Sequence, residues 1–152
     1  MLENLLQNKG RVLGVCGLIG LLALIRANED MFFYDPFLHY FKTDYTNAPI
    51  PEVNDIRFLM NVLARYGANT ILSLGIIQLI FKNRELSIFA AVLYGVFFLT
   101  LVSALYAILH YSSENKMILF YIRRFLIQPI FLLLFVPAFY FQERTSEKNN
   151  IL

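Results

Sequence analysis

The chain is poor in the residues that usually carry chemistry. Among its 152 residues there is one cysteine, Cys16, and there are two histidines. A single cysteine excludes an intramolecular disulfide and every cysteine-rich metal pattern. Cys16 and the histidines fall at opposite ends of the apolar stretches described below, so a Cys–His nucleophilic pair would have to reach across most of a bilayer. Cys16 therefore reads as a small packing residue. His39 and His110 lack a metal-ligand partner at helical spacing. There is no tryptophan, no phosphate-cradling glycine loop, no internal repeat and no basic run, which excludes nucleic acid as a partner class. No cofactor is called for. Asp30, Asp35 and Asp44 could form an outer cation or acid/base site, but their spacing is not diagnostic. Charge is scarce as well, at 16% of residues, where a soluble domain carries about a quarter.

What is abundant is apolar surface. Hydrophobic residues make up 58% of the chain, and the mean hydropathy is +0.57. This composition predicts an all-α integral membrane protein, with the whole chain, 1–152, as a single membrane domain. Four apolar stretches are each near the roughly 20 residues that a span needs. They cover about 12–26, 58–81, 86–109 and 117–141, with a large loop over 27–57 and a polar tail over 142–152. The first is short, and Arg11 and Arg26 can snorkel at its ends. It also resembles a cleavable signal peptide, but Ile25-Arg26-Ala27 lacks the small-x-small pattern of a cleavage site. Gly14, Gly17, Gly20, Gly67, Gly75 and Gly95 read as small residues that let helices approach. Pro129 and Pro137 are expected to kink the fourth stretch, with neighbouring helices satisfying the freed carbonyls.

Orientation follows from lysine and arginine in the short loops. Lys9, Arg11, Lys82, Arg84, Arg144 and Lys148 fall on one side, and Arg26, Lys42, Arg57 and Lys116 on the other. The expectation is four spans with both termini cytoplasmic. The 27–57 loop is then outside. Within it, Phe33, Phe37, Tyr40 and Phe41 recur at helical spacing. Pro36 suits a first helical turn, with Asp35 as its N-cap. A short aromatic helix lying on the membrane surface is expected, followed by an extended connection over Thr43–Asp55 stiffened by Pro49 and Pro51.

Three arginines, Arg65, Arg123 and Arg124, lie inside stretches that otherwise read as spans. At the bilayer centre each costs roughly 2.5–3.5 kcal/mol or more, so each must sit near an interface, be paired, or be used. In the second stretch Asn61, Arg65, Asn69 and Ser73 form a four-residue stripe. In the fourth, Tyr121, Arg124 and Gln128 form another, and Arg123 points elsewhere. Arg65 and Arg124 each lie about 10 Å along their helices from the outer end. Three readings follow. The arginines could mark a headgroup boundary. They could be neutralised from within the chain by Glu29, Asp30 or Asp35. Or they could face each other across a groove, with Asn69 and Gln128, that holds an anionic lipid headgroup or a partner's acidic group.

Two segments carry a family resemblance. One runs from Asn28-Glu29-Asp30-Met31 through Tyr34-Asp35-Pro36-Phe37 to Phe41. The other is Phe120-Tyr121-Ile122-Arg123-Arg124-Phe125-Leu126-Ile127-Gln128-Pro129, continuing to Pro137-Ala138-Phe139-Tyr140-Phe141-Gln142. With Arg65-Tyr66-Gly67-Ala68-Asn69-Thr70 between them, the chain resembles, over roughly residues 20–142, the exosortase F system-associated proteins. These are small multi-span inner-membrane proteins of Bacteroidetes encoded beside an exosortase. Exosortases are membrane transpeptidases that use Cys, Arg and His near the outer face. This chain has no Cys there, so the resemblance implies a non-catalytic accessory that binds the exosortase or its substrate's sorting signal. Membrane lipid is the other expected partner. The alternative is a lipid-handling or transport protein holding an anionic headgroup at the three arginines.

Overall fold

In a computed structural model, residues 8–33, 35–43, 51, 54–111 and 116–149 are described, and all their regular structure is helical. The elements are α1 (Lys9–Ala27), α2 (Glu29–Phe32), α3 (Pro36–Tyr40), α4 (Asp55–Phe81), α5 (Arg84–Tyr111), α6 (Lys116–Ile127) and α7 (Ile130–Asn149). Tyr34, Asp44, Pro49 and the rest of the connection expected over 44–50 lie outside the described residues, as does the side chain of Asp30. So does the end of the polar tail.

Three helices, α1, α4 and α5, are long and apolar enough to cross a membrane, and the bent pair α6–α7 makes a fourth if it is one span. This is a multi-pass membrane architecture. The boundaries have local causes. Asn54 caps α4 by accepting from the Arg57 amide at 3.1 Å. At the other end Lys82 turns left-handed, at φ 52°, and its amide bonds the Gln78 carbonyl at 3.0 Å. The next residue, Asn83, accepts from the Glu85 amide at 2.9 Å and so opens α5. Two residues thus reverse the chain, as the turn residues in the sequence suggest.

The fourth apolar stretch is not one helix. It breaks at Gln128-Pro129, where α6 and α7 diverge by 63°. Proline has no amide to give the Phe125 carbonyl, and its ring drives the preceding residue out of helical geometry. The Ile130 amide turns back to Gln128 O at 2.8 Å instead. Pro137 lies inside α7 without ending it. Below the break, Phe131, Phe135 and Phe139 face inward every fourth residue. Phe131 stacks on Phe97 of α5 with centroids 4.4 Å apart and planes 4° apart, and Phe139 meets Phe81 of α4 edge-on at 5.9 Å. These rings join the three helices into one core.

Helix α1 packs along α4 and presents most of its other surface outward. A Cβ on Gly14 would come within 3.1 Å of Leu79, and one on Gly75 within 3.1 Å of Leu18, so these two glycines set the spacing of the pair. The same reading fails for Gly17, Gly20, Gly67 and Gly95, where a Cβ would meet open space. Cys16 is exposed, not packed, because it lies on the side of α1 away from α4.

The aromatic segment also differs from expectation. It is helical from Pro36, but its rings pack into the bundle rather than facing outward as a free stripe. Phe37 is 0% exposed, with its ring 5.2 Å from Phe58 of α4, and Phe41 meets Phe120 of α6 at 5.2 Å. The spacing that reads as a lipid-facing stripe is a core-facing one. Burial in the bundle removes more ring surface from water than resting at headgroup level would. The segment is a plug between α4 and α6.

Candidate functional site: a buried ion-pair cluster

The plug delivers two carboxylates. Asn28 stops α1, with its amide and its side-chain Nδ2 both bonded to the Leu24 carbonyl, at 3.1 and 3.0 Å. The single turn α2 then places Glu29 over α4. Phe33 is extended, and Pro36 starts α3. Asp35 stands at the N-cap position but caps nothing. Its carboxylate is directed between α4 and α6 instead.

There it meets two arginines. Arg123 of α6 donates from Nε to both Asp35 oxygens at 3.1 Å and from Nη2 to Oδ2 at 2.5 Å. Arg65 of α4 donates from Nη1 to Asp35 Oδ2 at 3.4 Å and from Nη2 to Glu29. Both arginines are buried, at 2% and 5% exposure. Arg65 lies over the Phe33 ring at 5.4 Å and Arg123 over Phe41 at 5.9 Å, so aromatic faces cover the guanidiniums. Arg26 joins from the rim, 3.5 Å from Glu29 and half exposed. The buried part, two guanidiniums against two carboxylates, is neutral. A cavity of about 10 Å³, the size of one water, adjoins Arg65, Asp35 and Asn61.

The stripe on α4 has three different uses. Asn61 bonds its own helix, at Arg57 O. Asn69 donates from Nδ2 to the Ile127 carbonyl at 3.0 Å. That carbonyl ends α6 at the proline break, and a neighbouring helix thereby satisfies it. Ser73 is wholly buried, with its hydroxyl directed at that of Tyr94 on α5.

The second expected stripe is corrected. Arg124 is exposed, and its Nε donates to Gln128 Oε1 at 3.1 Å on the outer face of α6, so neither belongs to a groove shared with Arg65. Arg123 is the inward arginine. The buried face of α6 is Leu119, Arg123, Leu126 and Ile127, at i, i+4, i+7 and i+8. Neighbouring residues on a helix point about 100° apart, so only one of the two arginines can point in. The apolar stripe, not the polar one, decides which. Registering Arg123 against Leu119 and Leu126 would have found it. Arg26, Phe33 and Phe41 were also outside the expected site. So was Tyr66, whose hydroxyl donates to Tyr94 O at 2.7 Å.

Among the described residues no group of three His, Cys, Asp or Glu could hold a metal ion. His110 stacks on Tyr106 at 4.2 Å, and its Nδ1 lies 3.2 Å from the Tyr106 carbonyl. Comparison with protein-family models, with curated proteins and with solved structures gives no match.

Proposed function

We propose that this chain is a non-catalytic accessory of an exosortase protein-sorting system in a bacterial inner membrane, with four spans and both termini cytoplasmic. Its partner would be the exosortase or the sorting signal of a substrate. The resemblance of the Asn28–Phe41, Arg65–Thr70 and Phe120–Gln142 segments supports the system. The observation that carries the role is that Arg65 and Arg123 are neutralised by the chain's own Glu29 and Asp35. Arginines filled in this way hold the outer loop onto the bundle. They do not present an open basic pocket, as headgroup binding would require. The cluster would therefore fix the shape of an outer surface that a protein partner reads.

The test is co-purification from native membranes with mass spectrometry of proteins and lipids, alongside substrate processing in a strain lacking this chain. Recovery of an exosortase, with processing lost in the deletion strain, is expected. Normal processing and no exosortase in the purified material would sink the assignment. A stoichiometric anionic lipid lost on Arg123→Ala would favour the lipid-handling alternative.

A further inference from the structure

Arg124 is a charge that the chain does not neutralise. It lies eight residues past Lys116, about 12 Å along α6. It shares an outward stripe with Met117, Tyr121 and Gln128, at i, i+4, i+7 and i+11 in chain order. Met117 and Tyr121 are 62% and 51% exposed, and Arg124 is exposed with them. With α6 and α7 as one span, this face meets hydrocarbon, where an arginine is costly to keep. Snorkelling would relieve the cost. Helix side chains lean toward the N-terminus, and the N-terminus of α6 is its headgroup end, so that route is open. The side chain does the opposite. Its Nε donates to Gln128 Oε1 at 3.1 Å, one turn deeper, so the guanidinium is turned away from the headgroups and held there. Among the described residues its four Nη hydrogens meet no acceptor. Arg65 and Arg123, by contrast, are met by the chain's own carboxylates.

We propose that Arg124 and Gln128 form a docking site for a carboxylate, Asp or Glu, carried within a membrane-spanning helix of another protein. The Nη1–Nη2 edge offers two parallel N–H donors, the geometry that pairs with a carboxylate through two bonds. The Gln128 amide nitrogen adds a neutral donor beside it. A lipid phosphate is the poorer occupant, because it lies at headgroup level and the Gln128 bond turns the guanidinium from that level. A second copy of this chain has no carboxylate to offer. The stretches 12–26, 58–81, 86–109 and 117–141 contain no Asp or Glu, and Glu29 and Asp35 are committed to Arg65 and Arg123. The complementary charge therefore comes from a different membrane protein. The site gives the accessory reading a contact surface, and it rests on that reading only in requiring a membrane partner.

The experiment places a photo-crosslinking amino acid at Tyr121, or at exposed Val92 of α5 as a control, in the full chain in native membranes. Adducts are mapped by peptide mass spectrometry. Protein adducts are expected from Tyr121 and not from Val92. They should fall in an apolar segment of the captured protein, with an Asp or Glu within about two helical turns. Arg124→Ala should lower their yield about tenfold without moving the thermal midpoint. Arg124→Glu should regain the yield when the captured carboxylate is changed to Arg. Lipid adducts alone, equal protein adducts from both positions, or a captured segment without a carboxylate would overturn the proposal, whatever the stability of the Arg124 variants. A yield indifferent to Arg124→Ala would overturn it too. Arg124-dependent capture of a protein unrelated to sorting would uphold this site and remove the accessory reading. An exosortase that co-purifies equally with wild-type and Arg124→Ala chains would do the reverse.

Discussion

One carboxylate serving two guanidiniums is an unequal arrangement. Loss of Asp35 leaves Arg123 without its carboxylate and Arg65 with Glu29 alone, whereas loss of Glu29 leaves both arginines bonded to Asp35. Breaking a buried pair by removing one partner costs about 3–5 kcal/mol, because the remaining charge stays buried. Asp35→Asn should therefore unfold the protein in detergent at clearly lower temperature than Glu29→Gln, and equal midpoints would count against Asp35 as the shared partner. The adjacent arginines make a second pair of opposites. Arg123→Ala should be strongly destabilising, and Arg124→Ala should leave the midpoint unchanged, since Arg124 bonds only a side chain on its own outer face. Restoration of Arg123→Glu by Asp35→Arg would show that the bridge itself matters more than a positive charge at either position. At this scale the sequence was half legible. Charge in an apolar stretch announced that Arg65 and Arg123 need partners, and Glu29 and Asp35 were within reach of that reasoning. Which of two neighbouring arginines turns inward was not visible from polar spacing, because the hydrophobic face of α6 sets its rotation.

The break between α6 and α7 shows how an element can depend on one residue elsewhere in the chain. Pro129 explains why the helix ends. It does not explain why the end is tolerated in an apolar core, where an unsatisfied carbonyl costs about 1–3 kcal/mol. Asn69 supplies the missing donor from α4, 58 positions away in sequence. Asn69→Leu keeps the volume and removes the donor, so it should destabilise by about 1–3 kcal/mol, measured by thermal unfolding in detergent. An unchanged midpoint would mean that the Ile127 carbonyl finds another donor. Proline and apolar length were enough to expect a kink here, and four-residue spacing was enough to place Asn69 beside Arg65. The bond from Asn69 to the Ile127 carbonyl is tertiary and had no local signature. The plug failed differently. Its aromatic periodicity was read correctly, but periodicity marks an apolar face and does not say whether lipid or protein covers it. That choice rests on Phe58 and Phe120, far away in sequence, which form the pocket wall.

At the scale of the molecule, the bent pair decides the topology. Helix α6 has 12 residues and the apolar part of the pair continues over Ile130–Gln142, with a 63° change of direction between them. At about 1.5 Å per residue the two arms are about 18 and 20 Å long, and at that angle their ends are about 32 Å apart, close to the roughly 30 Å of a hydrocarbon core. Because the bend is less than a right angle, the second arm continues forward more than it turns back. A re-entrant hairpin would instead have to return to the face it entered. The inward arginine also fits a crossing helix. Arg123 lies one to two turns below the start of α6, at the depth of Arg65 on α4, and both meet the plug that closes that end. With both arms as one span, the count is even and the two termini share a side. The side proposed to be cytoplasmic is the one that carries Lys9, Lys82 and Arg144. Reporter fusions after Leu152 and within 44–50 should accordingly read opposite sides, cytoplasmic for the C-terminus and outer for the loop. A C-terminal reporter on the same side as the loop would mean that α6 and α7 enter and leave by one face, leaving three spans. In that case the plug would close a cluster between two crossing helices and a hairpin.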